Sequence, residues 1–211
     1  VEKMSGQTLD EFLSERIFGP LGMHDTHFNI PEAQIERLAA IYHPNDDGKI
    51  ELTAAPEYRE PRQYFSGAGG LSSTTADYFR FHQMMLNGGQ LDGVSILGRK
   101  TVELMVTNHI GDHAVWLKGQ GYGFGLGYSI LLDPAKASEP LSPGTYGWGG
   151  AFCTYFFVDP AEELLGIFMT QVRPYTHLDV RRQFAVLASQ AILGAPFGDR
   201  TAPVVGHQPL R

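Results

Sequence analysis

The sequence predicts an α+β fold in which helices come first and an antiparallel sheet with a flanking helix follows. Three observations carry this. Capping patterns followed by apolar residues at helical spacing fall in the first half of the chain. The second half changes to period-two alternation, the signature of strands. Within it, Asp159-Pro160-Ala161-Glu162-Glu163 separates two apolar runs as a polar turn, which makes them antiparallel neighbours.

Thr8-Leu9-Asp10-Glu11 matches a capping box, in which Thr oxygen and Glu carboxylate satisfy orphan backbone donors. Leu9, Phe12, Leu13 and Ile17 then share one helical face, and Gly19-Pro20 is the expected stop. Residues 30–65 are rich in Pro and charge with little periodicity, and are expected to form an irregular wall of a cleft. Thr74-Thr75-Ala76-Asp77 caps a second helix with Tyr78, Phe79, His82, Met85 and Leu86 as its stripe, ended by Asn87-Gly88-Gly89. A third helix is expected near Arg99 to Val106.

Tyr122, Phe124, Leu126, Tyr128 and Ile130 alternate with small residues, four of them glycine. This reads as one strand with one bulky face, and the bare face requires something packed very close to it. Residues 145–158 and 164–171 read as two further strands joined by the polar turn. Thr176-His177-Leu178-Asp179 is a capping pattern for a last helix with Val180, Phe184, Leu187 and Ala191 on one face, ended by Gly194-Ala195-Pro196. The tail at 196–211 has no periodicity. Three strands and one helix make a thin layer, so an unpaired sheet edge is expected, and with it a tendency to associate.

Lys plus Arg is 16 and Asp plus Glu is 23, a net charge of −7 that argues against a general nucleic-acid binder. No apolar run approaches the ~18 residues of a membrane span, and no signal-peptide pattern opens the chain. The chain opens on Val1-Glu2-Lys3-Met4, which fits a piece of a longer protein and equally an expression boundary. The single cysteine, Cys153, excludes an internal disulfide framework and is expected to be a small buried hydrophobe inside a strand.

Chemistry concentrates in Gly144-Thr145-Tyr146-Gly147-Trp148-Gly149-Gly150-Ala151-Phe152. Two readings stand. The glycines serve a bulged or bent strand with Trp148 in the core, or they let a ligand approach backbone N–H groups that bind a developing negative charge. A second glycine-rich stretch, Tyr64 to Ser73, enters the second helix. It lacks the phosphate-loop pattern and reads first as a tight N-cap loop. His24 with His27, and His109 with His113, lack a second ligand pair, so no metal or cofactor is expected. His82 is expected to be a satisfied core residue. There is no G-x-S-x-G and no S-x-x-K, hence no serine nucleophile with its lysine base.

The order of segments resembles the C-terminal part of the serine hydrolases related to class C β-lactamases, including the family VIII carboxylesterases. The likeness is carried by Gly19-Pro20-Leu21-Gly22-Met23-His24-Asp25-Thr26, Gly67-Ala68-Gly69-Gly70-Leu71-Ser72-Ser73-Thr74, Asn87-Gly88-Gly89, Gly121 to Gly127, Trp148-Gly149-Gly150 and Val158-Asp159-Pro160. It runs from residue 1 to about residue 193. The resemblance implies a β-lactamase/transpeptidase-like fold, a mainly antiparallel sheet beside a helical domain, with the active site between them. In these terms residues 1–115 are the mainly helical and irregular region, 116–195 the C-terminal part of the α/β domain, and 196–211 a tail.

The resemblance also implies where the machinery lies. The S-x-x-K motif and a Tyr-x-Asn or Tyr-x-Ser motif belong to an N-terminal segment, which is thus an expected partner of this chain. Tyr64-Phe65-Ser66 has the letters of the latter but the position of the glycine-rich loop. The third element, a Lys-Thr-Gly-type triplet on a strand, corresponds to Trp148-Gly149-Gly150, and the N–H of Ala151 to the strand's oxyanion donor. Trp148 carries no charge, which suits a neutral ester better than a carboxylate. Arg173 is the nearest cation in sequence, with nothing placing it in the site. The resulting expectation is a serine hydrolase cleaving small carboxylic esters through an acyl-enzyme. The alternatives are a β-lactamase or peptidase of the same family, and a non-catalytic binding module lacking the nucleophile.

Overall fold

The computed structural model describes residues 1–55 and 61–194. Residues 56–60, within the long irregular segment, and 195–211, with the expected tail and the Ala195-Pro196 stop, lie outside the described residues.

The chain starts with a short helix, α1 (Glu2–Ser5). Next comes α2 (Leu9–Leu13), where the Glu11 carboxylate accepts the Thr8 N–H at 3.1 Å. Gly19-Pro20 does not stop it. A π-helical stretch, Ser14–Phe18, widens the turn and leads into α3 (Gly19–Leu21) with its proline in the first turn, where no N–H is needed. The stop is Gly22, in the left-handed region at φ 66. The segment expected to be irregular carries a 3₁₀ helix, Glu32–Arg37, and an antiparallel hairpin of β1 (Ile41–Pro44) and β2 (Ile50–Ala54). Its turn residues Asn45 and Gly48 supply the chain reversal, the Gly48 N–H donating to the Asn45 carbonyl at 2.9 Å.

The second helix forms as its cap signals require: α4 (Thr75–Leu86), with the Thr74 hydroxyl accepting the Asp77 N–H at 3.2 Å. Gly88 and Gly89, both with positive φ, carry the chain into a small hairpin of β3 (Gln90–Leu91) and β4 (Val94–Ser95). Then follows α5 (Arg99–Met105).

The main sheet has five strands, not three, in chain order: β5 (Tyr122–Phe124), β6 (Ser129–Leu131), β7 (Tyr146–Gly149), β8 (Tyr155–Asp159) and β9 (Leu164–Phe168), all antiparallel. A short helix, α6 (Pro134–Ala137), lies between β6 and β7. Both long strands expected from the sequence are hairpins. The alternating run 122–130 folds back on itself, the Gly125 N–H donating to the Tyr128 carbonyl at 2.8 Å with Gly127 at φ 97. The single bulky face is thereby split: Tyr122 packs on one side of the sheet and Ile130 on the other.

Close packing on the glycines is as expected. A Cβ on Gly123 would lie 2.4 Å from the Asn108 side chain, and one on Gly125 would lie 2.1 Å from the Met105 carbonyl oxygen. Because the second obstacle is backbone, Gly125→Ala should cost about 1–3 kcal/mol as an overpacking change, read as a lowered urea midpoint with unchanged slope.

β8 is buried throughout and serves two cores at once. Phe156 and Val158 pack with Met84 and Met85 of α4 on one face. Tyr155 and Phe157 pack on the other face with Ala185 and Phe184 of α7 (Val180–Gln190). The sheet is thus the middle of three layers. The last helix starts at Val180 with Asp179 as N-cap, three residues after the expected cap at Thr176, and Leu187 faces outward at 66% exposure. The 159–163 turn joins β8 and β9 as expected. The buried Asp159 carboxylate organises it by accepting the N–H groups of Ser142 and Ala161 at 2.9 and 3.1 Å. The outer sides of β5 and β9 have no strand partner among the described residues, so the sheet has two open edges. Among those residues no helix is long and apolar enough to cross a membrane.

Candidate active site

β7 is paired on both sides only over its first half. It pairs with β6 at Tyr146 and Gly147, while its pairing with β8 continues through Trp148 to Gly149. From Trp148 onward one side of the strand has no neighbouring strand among the described residues. At its end the Gly150 N–H donates to the Thr154 carbonyl at 2.9 Å, closing a three-residue loop, Ala151-Phe152-Cys153. Cys153 takes the left-handed conformation at φ 67, as such hairpin loops require of their last residue. Cys153 is buried as expected, but in this turn and not in a strand. The loop is anchored through the Phe152 carbonyl, which accepts the Thr170 hydroxyl at 2.8 Å and the Val172 N–H at 3.2 Å.

Ala151 is exposed, and its N–H has no acceptor among the described residues. Trp148 is half-buried, with its indole edge-to-face against Phe124 at 5.1 Å, and one side of it borders a cavity of about 260 Å³. Trp148 therefore both packs against the core and lines open space.

The glycines have a reason that spacing did not reveal. A Cβ on Gly149 would lie 2.7 Å from the Arg181 guanidinium, and one on Gly150 would lie 2.2 Å from the Thr154 hydroxyl. At Gly149 the neighbour is the flexible end of an arginine that α7 lays across the strand. The Arg181 guanidinium donates to the Gly150 carbonyl and stacks on the Tyr175 ring at 4.1 Å. Arg173, the nearest cation in sequence, lies over the Phe152 ring at 5.8 Å, behind the loop.

The cavity wall also holds Lys118 and Glu139. The Lys118 ammonium sits 5.1 and 5.0 Å from the ring centres of Tyr122 and Tyr155. Burial pulls its pKa below the ordinary value, with Glu139 opposing that shift and Arg181 adding to it. Burial, reinforced by Glu139, pushes both phenols upward, so they remain O–H groups. The wall thus carries the cations Lys118, Arg181 and Arg182 and the carboxylates Glu139 and Asp179, of which Arg182 and Asp179 pair with each other.

The other candidates lie elsewhere. The glycine-rich loop is tied to His27 by backbone bonds of 2.9 Å in both directions at Ser72 and ends as the cap of α4. The buried Asp77 carboxylate accepts the Asp25 N–H at 2.7 Å and the Thr26 hydroxyl at 2.9 Å. His24 is exposed, and His109 contacts the Leu104 carbonyl at 2.7 Å. No group of three His, Cys, Asp or Glu with metal-holding geometry occurs among the described residues. His82 is in the core, stacked on Phe156 at 3.9 Å, but it is not satisfied: both ring nitrogens are buried without a partner.

An antiparallel sheet between helical layers, with a half-open strand ending in Trp148-Gly149-Gly150, has the β-lactamase/transpeptidase-like architecture. The beta-lactamase family model matches residues 1–190, and the chain belongs to that family. Among its relatives, Protein Rv1367c of Mycobacterium tuberculosis is 31% identical over 93% of this chain and 49% of its own length. Esterase EstB of Burkholderia gladioli is 29% identical over 81% of this chain and 46% of its own. In three dimensions the chain is similar to EstCE1, described as a hydrolase with promiscuous acyltransferase activity. That match has a TM-score of 0.72 at 23% identity, over 89% of this chain and 52% of the other. The chain thus spans about half the length of the relatives it matches.

Proposed function

We propose that this chain is the C-terminal part of a serine hydrolase that cleaves carboxylic esters through an acyl-enzyme. The nucleophile and its lysine base would come from an S-x-x-K motif in an N-terminal segment, as the family resemblance implies. The serine hydroxyl loses its proton to the base and adds to the ester carbonyl, and the carbonyl oxygen takes the negative charge. Collapse expels the alcohol as it is protonated, leaving an acyl-serine that water then cleaves. This chain's part is electrostatic. The Ala151 N–H is the strand's oxyanion donor, and the half-open edge of β7 gives the substrate access to it. The observation that carries this reading is that N–H, on an exposed residue close to Trp148 and without an acceptor among the described residues. The names of Esterase EstB and EstCE1 support the ester chemistry.

The substrate class follows from charge. Trp148 stands where a β-lactamase presents a lysine to an anionic carboxylate. The two cations on the cavity wall are partly engaged, Arg181 with the Gly150 carbonyl and Tyr175 and Lys118 against two aromatic rings, so Trp148 leaves a carboxylate without the charged partner that a lysine would give. A hydrogen bond to a charged group contributes about 1.5–3 kcal/mol, and a carboxylate substrate forgoes it here. The complete protein should therefore turn over a short-chain aryl ester with a kcat/KM roughly tenfold or more above that for a chromogenic cephalosporin. The reverse preference supports the β-lactamase reading, and no turnover of either, with no labelling by a fluorophosphonate, supports the non-catalytic one.

A further inference from the structure

Arg181 is an unusual arginine. None of the ion pairs among the described residues involves it, whereas its neighbour Arg182 pairs with Asp179 at 3.1 Å. Its Nε is buried without an acceptor. The guanidinium is spent on one carbonyl, that of Gly150, and on the face of Tyr175. Arg181 is half-buried, a partly desolvated cation is costly unless its hydrogen bonds compensate it, and here the compensation is directed at a single peptide group.

That group is the one that matters. The Gly150 carbonyl and the Ala151 N–H belong to the same peptide unit, which is planar, rigid and trans, so holding one end aims the other in the opposite direction. A charge-assisted bond to the carbonyl also draws electron density from the amide and makes its N–H a stronger donor. Phe152 and Cys153 follow directly in the hairpin loop, and without the arginine this peptide plane would be free to tilt. Gly149 is the other half of the device, since its missing Cβ gives the guanidinium room to cross the strand.

We propose that Arg181 is a positioning residue for the oxyanion: from α7 it locks and polarises the Gly150–Ala151 peptide so that the Ala151 N–H points at the developing charge. The inference rests on the oxyanion reading of the preceding section. It adds that the donor's strength is set by a cation on a different element of the fold, one that also lines the cavity beside Trp148, so that the split between kcat and KM separates positioning from substrate contact.

The test uses the complete protein and a short aryl ester. Arg181→Met should lower kcat about tenfold, a fraction of the loss of a whole oxyanion donor, with KM changed less than about twofold. Binding of a neutral aryl boronic acid, which becomes a tetrahedral anion on the serine, should weaken by about the same factor as kcat. Guanidinium ion at low millimolar concentration should restore part of the kcat of Arg181→Ala and leave the parent unaffected. Gly149→Ala, which displaces the guanidinium from the other side, should cost a similar factor and add little when combined with Arg181→Met. A folded Arg181→Met with parental kcat and boronate affinity overturns the inference. So does a loss that tracks the melting temperature and ignores guanidinium. If the parent hydrolyses the ester and Ala151→Pro is crippled while the Arg181 variants are normal, only this inference fails. A parent without ester hydrolysis overturns it together with the hydrolase reading.

Discussion

Replacing Ala151 with proline in the complete protein lowers kcat for ester hydrolysis by about 10²–10³-fold, the loss expected for one oxyanion donor. Proline is the one substitution that deletes a backbone N–H, and this position tolerates it. Ala151 opens the three-residue loop closed by Gly150 and Thr154, and the first central position of a type I turn accepts the φ of proline. The preceding residue is a glycine, whose missing Cβ removes part of the clash that proline imposes on its predecessor. Ala151→Gly and Ala151→Ser keep the N–H and should stay within about threefold of the parent, since one hydrogen bond is worth roughly 1 kcal/mol and none is removed. Circular dichroism and thermal melting establish that the proline variant is folded. A folded Ala151→Pro with near-parental kcat would return Trp148-Gly149-Gly150 to the role of a bent strand.

The second large effect concerns acid. His82 is 1% exposed, and the rings around it are Tyr78, Phe81, Tyr128 and Phe156. Its titratable neighbours Tyr78 and Tyr128 are phenols that burial pushes upward, Tyr78 to about 12, so nothing nearby offers a counter-charge. Desolvation lowers the His82 pKa to about 3, against an ordinary value of 6.5. Above pH 6.5 the imidazole is neutral in both the folded and the unfolded chain and contributes no pH dependence. Below it the unfolded chain takes up a proton that the folded chain refuses. Stability therefore falls as pH drops from about 6.5 toward 3, by up to about 1.4 kcal/mol per pH unit. His82→Phe keeps the stacking on Phe156 and removes the titration. Urea midpoints from pH 7 to pH 4 should decline steeply for the parent and much less for the variant. Parallel declines would mean that His82 is protonated in the folded protein.

The sequence made some of this legible and hid the rest for definite reasons. Helix α4 was readable at both ends because Thr74 and Gly88-Gly89 act through local backbone chemistry. The turn at 159–163 was readable for the same reason. The reversal at 125–128 was not: glycine at every second position looks the same whether the run is extended or folded back, and the turn is made by those same glycines. The loop at 151–153 was hidden more deeply. Its left-handed residue is a cysteine, and Ala-Phe-Cys carries no turn propensity, so the run 145–158 read as one strand. In the candidate site, Trp148-Gly149-Gly150 was visible as letters, but the cation that uses Gly149 was not. Arg181 lies 31 residues beyond Gly150 on a helix whose start was placed three residues early, at Thr176 instead of Asp179. Contacts of that sequence separation leave no periodic trace.

In the main sheet every strand lies beside its predecessor and its successor in the chain, from β5 to β9. No pairing in it waits for a distant segment to arrive. Loop-closure entropy grows with the length of chain that must be gathered, and topologies with short closures fold fast. Each hairpin here can zip from its own turn, with the longest gap, between β6 and β7, shortened by α6. The half-open edge of β7 follows from this local order: β6 begins at Ser129, directly after the Gly127 turn, so no residue of β6 lies opposite Trp148. The opening beside Trp148 is therefore written into neighbouring hairpins and not into a contact between distant segments.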